Sequence, residues 1–132
     1  MPGPPVRVLL VDDSRAIRSL VASILVADGF VPLEAESAAE ALRIAVARAP
    51  GVAIVDYHLP DMSGADLVRL LRASLTPSVN SIPVIGLSGI SGSERALMSA
   101  GATCFVAKPF HERDLRTAIR SVLAAALAVD RP

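Results

Sequence analysis

Short apolar runs alternate with helix-period segments along the whole chain, and this alternation constrains the fold more than any other feature of the sequence. The run Val52–Val55 is apolar at every position, as expected for a strand that is covered on both faces. Between the runs, apolar residues recur at helical spacing, as Ile17, Val21 and Ile24 do. The pattern predicts an α/β doubly wound fold with a parallel sheet.

Five strands and five helices are predicted from this alternation. Ser37 and Glu40 form a capping box for the second helix, whose inward residues include Leu42 and Val46. Pro32 interrupts the second apolar run, so this strand is expected at a sheet edge. The predicted strands are 6–11, 31–35, 52–55, 82–87 and 104–107, and the predicted helices are 14–29, one that begins at 37, 63–73, 93–100 and 111–128, with 74–81 as a loop.

Composition narrows the classes of protein to which the chain can belong. At 132 residues, 52% of them hydrophobic, the chain is expected to form one domain over 1–132 with an aliphatic core at about 6–126. Thirteen basic residues balance thirteen acidic ones, so charge favours neither nucleic acid nor a membrane as a partner. The single Cys104 excludes an intramolecular disulfide. Without a membrane-spanning stretch or a signal-peptide layout, the expected location is the cytoplasm.

Four predicted strands lead directly into residues that suit a metal ion or a phosphoryl group. Asp12 and Asp13 come after the first strand, Asp56 after the third, Ser88 after the fourth and Lys108, the only lysine, after the fifth. Ligands of open α/β sheets bind outside the carboxyl ends of the strands, so we expect these groups to share a pocket. Close carboxylates repel one another unless a cation such as Mg²⁺ neutralises them. Lys108 and Ser88 would complete a phosphate-sized cradle, with Asp56 positioned as a nucleophile.

Each of these residues also has a simpler interpretation when it is taken alone. Asp12 and Asp13 could cap the first helix, Ser88 could be a turn hydroxyl, and Lys108 could be a solvated surface charge. Asp61 is predicted to be a turn residue. The functional interpretation is favoured because all four strand ends carry a suitable group at once.

Four stretches include the residues of the predicted pocket. They are LLVDDS (Leu9–Ser14), VDYHLPDMSG (Val55–Gly64), GLSG (Gly86–Gly89) and GATCFVAKPF (Gly101–Phe110). These stretches resemble the signature motifs of response-regulator receiver domains. The match covers about residues 6–126 and keeps the order of the motifs. The resemblance implies a flavodoxin-like fold, in which a five-stranded parallel sheet has the order 2-1-3-4-5.

The resemblance also implies a role for each residue of the acidic pocket, with Mg²⁺ as the cofactor. Asp56 matches the phospho-accepting aspartate, Asp13 the direct metal ligand and Asp12 its water-mediated neighbour. His58 would give its backbone carbonyl to the metal ion, while its side chain is not expected to be a ligand. Lys108 matches the lysine that pairs with the phosphoryl group.

Further positions match the conformational switch of the family. Ser88 matches the switch hydroxyl, where threonine is more frequent. Phe105 matches the aromatic switch residue but has no phenolic hydroxyl. Gly89 matches the small residue that leaves the phosphoryl group accessible, and the bond before Pro109 is expected to be cis.

The stretch from Ser88 to Phe105 is shorter than is usual in the family, and glycines lie in its first part. We therefore predict that Gly89–Met98 is the least protected part of the domain and that it orders further when Asp56 is phosphorylated. No DNA-binding or catalytic domain is expected to follow.

Together these patterns predict a phosphorylation-dependent signalling module that is an enzyme only toward itself. The expected partners are a histidine kinase or phosphotransfer protein, and a downstream protein that binds the fourth helix, fifth strand and fifth helix. Two alternatives stay open. A Mg²⁺-dependent aspartyl phosphohydrolase is disfavoured because the length leaves no substrate domain. A pseudo-receiver that binds partners without being phosphorylated is disfavoured by the intact acidic residues and Lys108.

Overall fold

The computed structural model describes residues 3–89 and 92–129, in which five strands alternate with helices. The strands are β1 (Arg7–Val11), β2 (Val31–Ala35), β3 (Val52–Asp56), β4 (Val84–Ser88) and β5 (Cys104–Ala107). The helices are α1 (Arg15–Ala27), α2 (Ala38–Arg48), α3 (Gly64–Arg72), α4 (Pro77–Asn80), α5 (Ser93–Ala100) and α6 (Glu112–Val129). Ser14, Ser37 and Ser63 cap α1, α2 and α3 by accepting a hydrogen bond from the backbone N–H three residues later.

The sheet is parallel and has the predicted strand order, β2-β1-β3-β4-β5. β2, which contains Pro32, lies at one edge, as predicted from the proline, and β5 lies at the other. Val11 at the end of β1 is paired with Val55, and Ser88 at the end of β4 is paired with Ala107. The central strands therefore end at nearly the same level, which brings the residues that follow them to one edge of the sheet.

Helices cover both faces of the sheet, and the alternating side chains of each strand contribute to two apolar layers. Leu9 and Val11 lie in the layer between the sheet and α2, α3 and α5, whereas Val8 and Leu10 lie in the layer beneath α1 and α6. These four residues are fully buried, which agrees with the predicted aliphatic core. Within the described ranges, no helix combines the length and the apolar character of a membrane span.

Two predictions about the helices are wrong. Pro77–Asn80 forms the short helix α4 inside the predicted loop 74–81, where proline suits the first helical position. The predicted fourth and fifth helices are therefore α5 and α6. Val46, predicted to face inward, is 66% exposed. Alanines such as Ala41 and Ala45 form the buried side of α2 instead, because their small side chains let the helix approach the sheet closely.

Candidate functional site

The carboxylates that follow β1 and end β3 lie together at the carboxyl edge of the sheet. One oxygen of each of Asp12, Asp13 and Asp56 lies within 4.8 Å of the others. Asp12 and Asp56 are buried, with 1% and 6% of their surface exposed, whereas Asp13 is exposed. The structure thus brings together the three acidic residues that the sequence predicts for a shared pocket.

Lys108 follows β5 and extends into the same pocket. Its Nζ lies 2.7 Å from Asp56 Oδ1 and 3.5 Å from Asp12 Oδ2. The predicted cis peptide bond between Lys108 and Pro109 is confirmed. Burial alone would lower the pKa of Lys108, but the hydrogen bond and charge of Asp56, with a smaller contribution from Asp12, raise this pKa above its ordinary value. The ammonium group therefore stays charged beside Asp56.

Asp12 is held by hydrogen bonds to the end of β2 and to the start of α1. Its N–H donates to the Ala35 carbonyl at 3.1 Å, and its Oδ1 accepts from the Ser14 N–H at 2.8 Å. Its Oδ2 is buried and has no hydrogen-bond partner among the described residues. The Lys108 ammonium, 3.5 Å away, is too distant for a strong hydrogen bond. One buried carboxylate oxygen is therefore open to a further ligand.

The pocket carries more negative than positive charge, since three carboxylates lie around one ammonium group. Burial is the main cause that raises the pKa of Asp12, and the charges of Asp56 and Asp13 also raise it. The hydrogen bond from the Ser14 amide and the charge of Lys108 lower this pKa, but the net shift is upward. A divalent cation among these oxygens would balance the charge and supply a partner for Asp12 Oδ2. The donor set is entirely oxygen, which suits Mg²⁺.

The loop between β3 and α3 folds tightly against the pocket. The Gly64 N–H donates to the Tyr57 carbonyl at 2.6 Å, and a Cβ at position 64 would clash with the carbonyl oxygen of Asp56. Glycine is therefore required for this close approach. The backbone of His58 pairs with Ser63 in an isolated bridge, and the His58 side chain is exposed. The role of the His58 carbonyl as a metal ligand stays a prediction.

Asp61 lies in the same loop, where it was predicted to be a turn residue, and its side chain also binds the start of α2. Its carboxylate oxygens accept hydrogen bonds from the N–H groups of Ala38 and Ala39, each at 2.9 Å. These bonds hold the pKa of Asp61 below its ordinary value. The contact joins the β3–α3 loop to the first turn of α2. Sequence reasoning missed it because Ser37 already supplies a cap for this helix.

Ser88 ends β4, and its side chain lies at the start of α5. Ser88 is 5% exposed, and its hydroxyl shares a hydrogen bond with the Ser93 hydroxyl and lies 3.4 Å from Glu94 Oε2. Sequence reasoning missed Ser93 and Glu94 as partners of the predicted switch residue. The signal that could have indicated them is their position in the first turn of a helix predicted to begin at Ser93.

Phe105 is the second residue predicted for the switch, and Gly89 is the small residue predicted to leave the phosphoryl group accessible. Phe105 lies in the edge strand β5 and is 44% exposed, so its ring is at the surface. Gly89 follows β4, and a Cβ at this position would lie 3.4 Å from the Lys108 Cβ, which is an ordinary contact. The structure therefore places Gly89 beside the pocket and leaves Phe105 accessible to a partner.

A family model, described as the response regulator receiver domain, matches residues 8–120. The transcriptional regulatory protein KdpE of Mycobacterium tuberculosis is 38% identical over 125 residues, which are 90% of this chain and 53% of that protein. The phosphate regulon transcriptional regulatory protein PhoB of Pseudomonas aeruginosa is 34% identical over 119 residues, which are 88% of this chain and 51% of that protein. The chain spans about half the length of these curated relatives.

Solved structures share the fold. The chemotaxis response regulator CheY4 of Vibrio cholerae has a TM-score of 0.82 at 28% identity, over 89% of this chain and 98% of that chain. A CheY-like response regulator receiver domain protein from Methanospirillum hungatei has a TM-score of 0.83 at 29% identity, over 92% of this chain and 95% of that chain. Because the family model covers most of its length, the chain belongs to the response regulator receiver domain family of two-component systems.

Proposed function

We propose that Asp56 accepts a phosphoryl group from the phosphohistidine of a histidine kinase or phosphotransfer protein, in a Mg²⁺-dependent reaction in the cytoplasm. The observation that carries this proposal is the buried Asp56 carboxylate, which pairs with Lys108 at 2.7 Å and has Asp12 and Asp13 within 4.8 Å. Membership of the receiver family supports the same role. The chain would be an enzyme only in promoting its own phosphorylation and dephosphorylation.

The Mg²⁺ ion would be held by Asp13, Asp56 and the backbone carbonyl of His58, with Asp12 acting through a water molecule. When bound, the ion would offset the negative charge of the carboxylates and of the incoming phosphoryl group. The excess of carboxylates supports this assignment, and so does Asp12 Oδ2, which has no hydrogen-bond partner among the described residues. Lys108 supplies a positive charge of the protein itself, 2.7 Å from Asp56.

In the transfer step, a carboxylate oxygen of Asp56 attacks the phosphorus of the phosphohistidine. The new O–P bond forms as the P–N bond breaks, and the electron pair of the P–N bond returns to the imidazole nitrogen. The Lys108 ammonium pairs with phosphoryl oxygens as charge develops on them. Attack of water on the phosphorus later releases inorganic phosphate and regenerates the carboxylate.

Phosphorylation would be transmitted through Ser88. A phosphoryl group on Asp56 offers acceptor oxygens to the Ser88 hydroxyl, which would leave Ser93 and Glu94 and shift an existing conformational equilibrium. α5, β5 and α6 would then present a changed surface to a downstream protein. A surface groove of about 540 Å³, whose lining includes Phe105, offers such a partner a place to bind.

The two curated relatives are named as transcriptional regulators, but this chain spans about half of their length. Its thirteen basic and thirteen acidic residues give no electrostatic support for binding nucleic acid. The balanced charge of the sequence supports a protein, rather than nucleic acid, as the downstream partner that we propose.

Intact mass spectrometry after incubation with acetyl phosphate tests the proposal. We expect the mass of one phosphoryl group to be added in the presence of Mg²⁺ and not in the presence of a chelator. Asp56→Asn should abolish this gain, and Asp66→Asn, which changes an exposed carboxylate of α3, should leave it unchanged. Equal phosphorylation of Asp56→Asn would refute the assignment. No gain in the wild type would favour a binding module, and sustained turnover of phosphate esters would favour a phosphohydrolase.

A further inference from the structure

Arg18 is a charged residue near the pocket that the proposed reaction does not use. It lies in the first turn of α1, and its side chain is 12% exposed. Its Nη1 donates to the backbone carbonyl of Asp12 at 2.7 Å, and its Nε donates to Glu34 Oε1 at 3.3 Å. The guanidinium group therefore joins α1 to the residue that follows β1 and to the end of β2.

The carbonyl that Arg18 binds belongs to the peptide group between Asp12 and Asp13. Because a peptide group is planar, a fixed carbonyl direction restricts ψ of Asp12 and φ of Asp13. These two angles set the directions in which both side chains leave the backbone. The other hydrogen bonds of Asp12 join it to the backbone carbonyl of Ala35 and to the backbone N–H of Ser14, and a substitution of Arg18 leaves the atoms of both bonds in place. Arg18 thus acts on two neighbouring carboxylates at once.

The arginine side chain suits this task better than a simple positive charge would. The Glu34 carboxylate, 3.3 Å from Nε, offsets part of the guanidinium charge, and Glu34 itself is 47% exposed. The guanidinium group carries several donors in a fixed plane, so it can bind the carbonyl and the carboxylate together. Lysine would keep the charge but would lose this fixed geometry.

We infer that Arg18 is a positioning residue for the cation site, which aligns the carboxylates of Asp12 and Asp13 through their shared peptide group. The inference rests on the proposed function, because it concerns the same metal site. Under this inference, substituting Arg18 changes the affinity for Mg²⁺ in the direction opposite to that expected from electrostatics alone. A nearby cation weakens the binding of Mg²⁺, so its loss would strengthen binding, whereas the loss of a positioning residue weakens binding.

Isothermal titration calorimetry with Mg²⁺ on the full chain, without a phosphodonor, measures this sign. We expect Arg18→Met to weaken binding on the order of tenfold, as for residues that orient metal ligands. Arg18→Lys should recover part of the loss. Arg15→Met is the matched control, since Arg15 is exposed in the same turn and its side chain makes no hydrogen bond or ion pair with any described residue. This control should not weaken binding.

Amide hydrogen exchange without metal gives a second measurement. Arg18→Met removes the hydrogen bond to the Asp12 carbonyl, so the Asp12 amide, whose N–H donates to the Ala35 carbonyl at 3.1 Å, should exchange faster than in the wild type and in Arg15→Met. Unchanged or tighter Mg²⁺ binding by a folded Arg18→Met variant overturns the inference. If this variant does not fold, binding by Arg18→Lys that equals the wild type overturns it. A wild type that binds no Mg²⁺ overturns the proposed function itself.

Discussion

The acidic pocket and the first turn of α5 are neighbours that are held in different ways. In the pocket, Asp12 bonds to backbone groups of β2 and of the start of α1, and Lys108 pairs with Asp56. At the first turn of α5, the N-cap is Gly92, which has a φ of 94° and no side chain with which to cap the helix. In α1, α2 and α3, by contrast, a serine cap is present. The pocket is therefore held by backbone hydrogen bonds and by an ion pair, whereas contacts with Ser88 contribute to holding the start of α5.

The middle and the far end of α5 are held more firmly than its start. Leu97 is fully buried and packs against Gly86 of β4. Beyond the last turn, Arg72 of α3 donates its Nε to the Gly101 carbonyl at 2.9 Å and its Nη1 to the Ile82 carbonyl at 2.6 Å. α5 can thus respond at its first turn while its C-terminal end stays attached to α3.

The largest difference between the two regions is expected in the free energy of unfolding, when a methyl group is added at one glycine in each region. In Gly64→Ala the new Cβ meets the backbone of Asp56, whereas in Gly86→Ala it lies 2.7 Å from Leu97 Cδ1, a side-chain end that can move. We expect the free energy of unfolding to fall by about 3 kcal/mol for Gly64→Ala and about 1 kcal/mol for Gly86→Ala. Urea unfolding measures both. Equal losses would mean that α5 is as rigid as the pocket loop.

A smaller effect is expected from the charge of Asp12. Burial, together with Asp56 and Asp13, raises the pKa of Asp12 above 3.8, so the folded protein binds this proton more tightly than the unfolded chain does. The stability that this tighter proton binding contributes is present at low pH and is lost as the pH rises through the folded-state pKa of Asp12. Asp12→Asn should therefore stabilise the metal-free protein at neutral pH by about 1 kcal/mol, because it removes a buried charge whose Oδ2 atom has no hydrogen-bond partner among the described residues.

The pH dependence and the response to Mg²⁺ provide the controls for Asp12→Asn. The stability difference should shrink in acid, where the wild-type carboxyl group is protonated. Saturating Mg²⁺ should stabilise the wild type more than the variant, because binding to the folded state adds to its stability. If the metal-free variant is the less stable protein at neutral pH, the hydrogen bond from Ser14 to the Asp12 carboxylate outweighs the cost of the charge.

The main features of the pocket could be predicted from the sequence because the sheet is parallel. The strands end at nearly the same level, so the residue after each strand is placed by the alternation of segments alone. This is why Asp12, Asp13, Asp56 and Lys108 were expected together, and the structure brings their side chains together. Val46 shows the limit of periodicity, since helical spacing does not say which side of a helix approaches the sheet more closely.

The supporting contacts could not be predicted in the same way. Arg18 binds a carbonyl, Asp61 binds two amide groups of another helix, and Ser93 binds a hydroxyl at the end of a strand. Such partners are brought close by the path of a loop and the packing of a helix. A sequence pattern specifies neither the path of a loop nor the packing of a helix. Every residue offers a carbonyl and nearly every residue an amide group, so the residue type does not identify the partner.

The contribution of Asp61 to stability is expected to depend on pH in the opposite way to that of Asp12. Its effect on stability should be smaller still, because Asp61 is exposed. The N–H groups of Ala38 and Ala39 hold its pKa below 3.8, so its contribution to stability is present above that value and is lost as the pH falls through the folded-state pKa. Asp61→Asn should lower the urea midpoint near neutral pH, and the difference should close in acid. Asp66→Asn is the surface control. No difference near neutral pH would contradict this role.

The smallest expected effect concerns the first turn of α5. The sequence predicts that Gly89–Met98 orders further on phosphorylation; residues 90 and 91 of this stretch lie outside the described ranges, and Gly92–Met98 lie within them. The structure adds the contacts of Ser88 with Ser93 and Glu94, which would be lost if the Ser88 hydroxyl turned toward a phosphoryl group. We therefore expect this turn to lose protection, which is opposite to the prediction from the sequence.

Hydrogen exchange with and without beryllofluoride, a phosphoryl mimic, shows whether the first turn of α5 loses or gains protection. The Ala96 N–H donates to the Gly92 carbonyl at 3.3 Å and reports on the first turn, while the Ala102 N–H donates to the Leu97 carbonyl at 3.0 Å and reports on the far end. A weak neutral hydrogen bond contributes about 0.5 kcal/mol, so the mimic should speed exchange at Ala96 about twofold and leave Ala102 unchanged. Ser88→Ala should show the faster exchange at Ala96 without the mimic. Slower exchange at Ala96 with the mimic would instead support ordering of this segment.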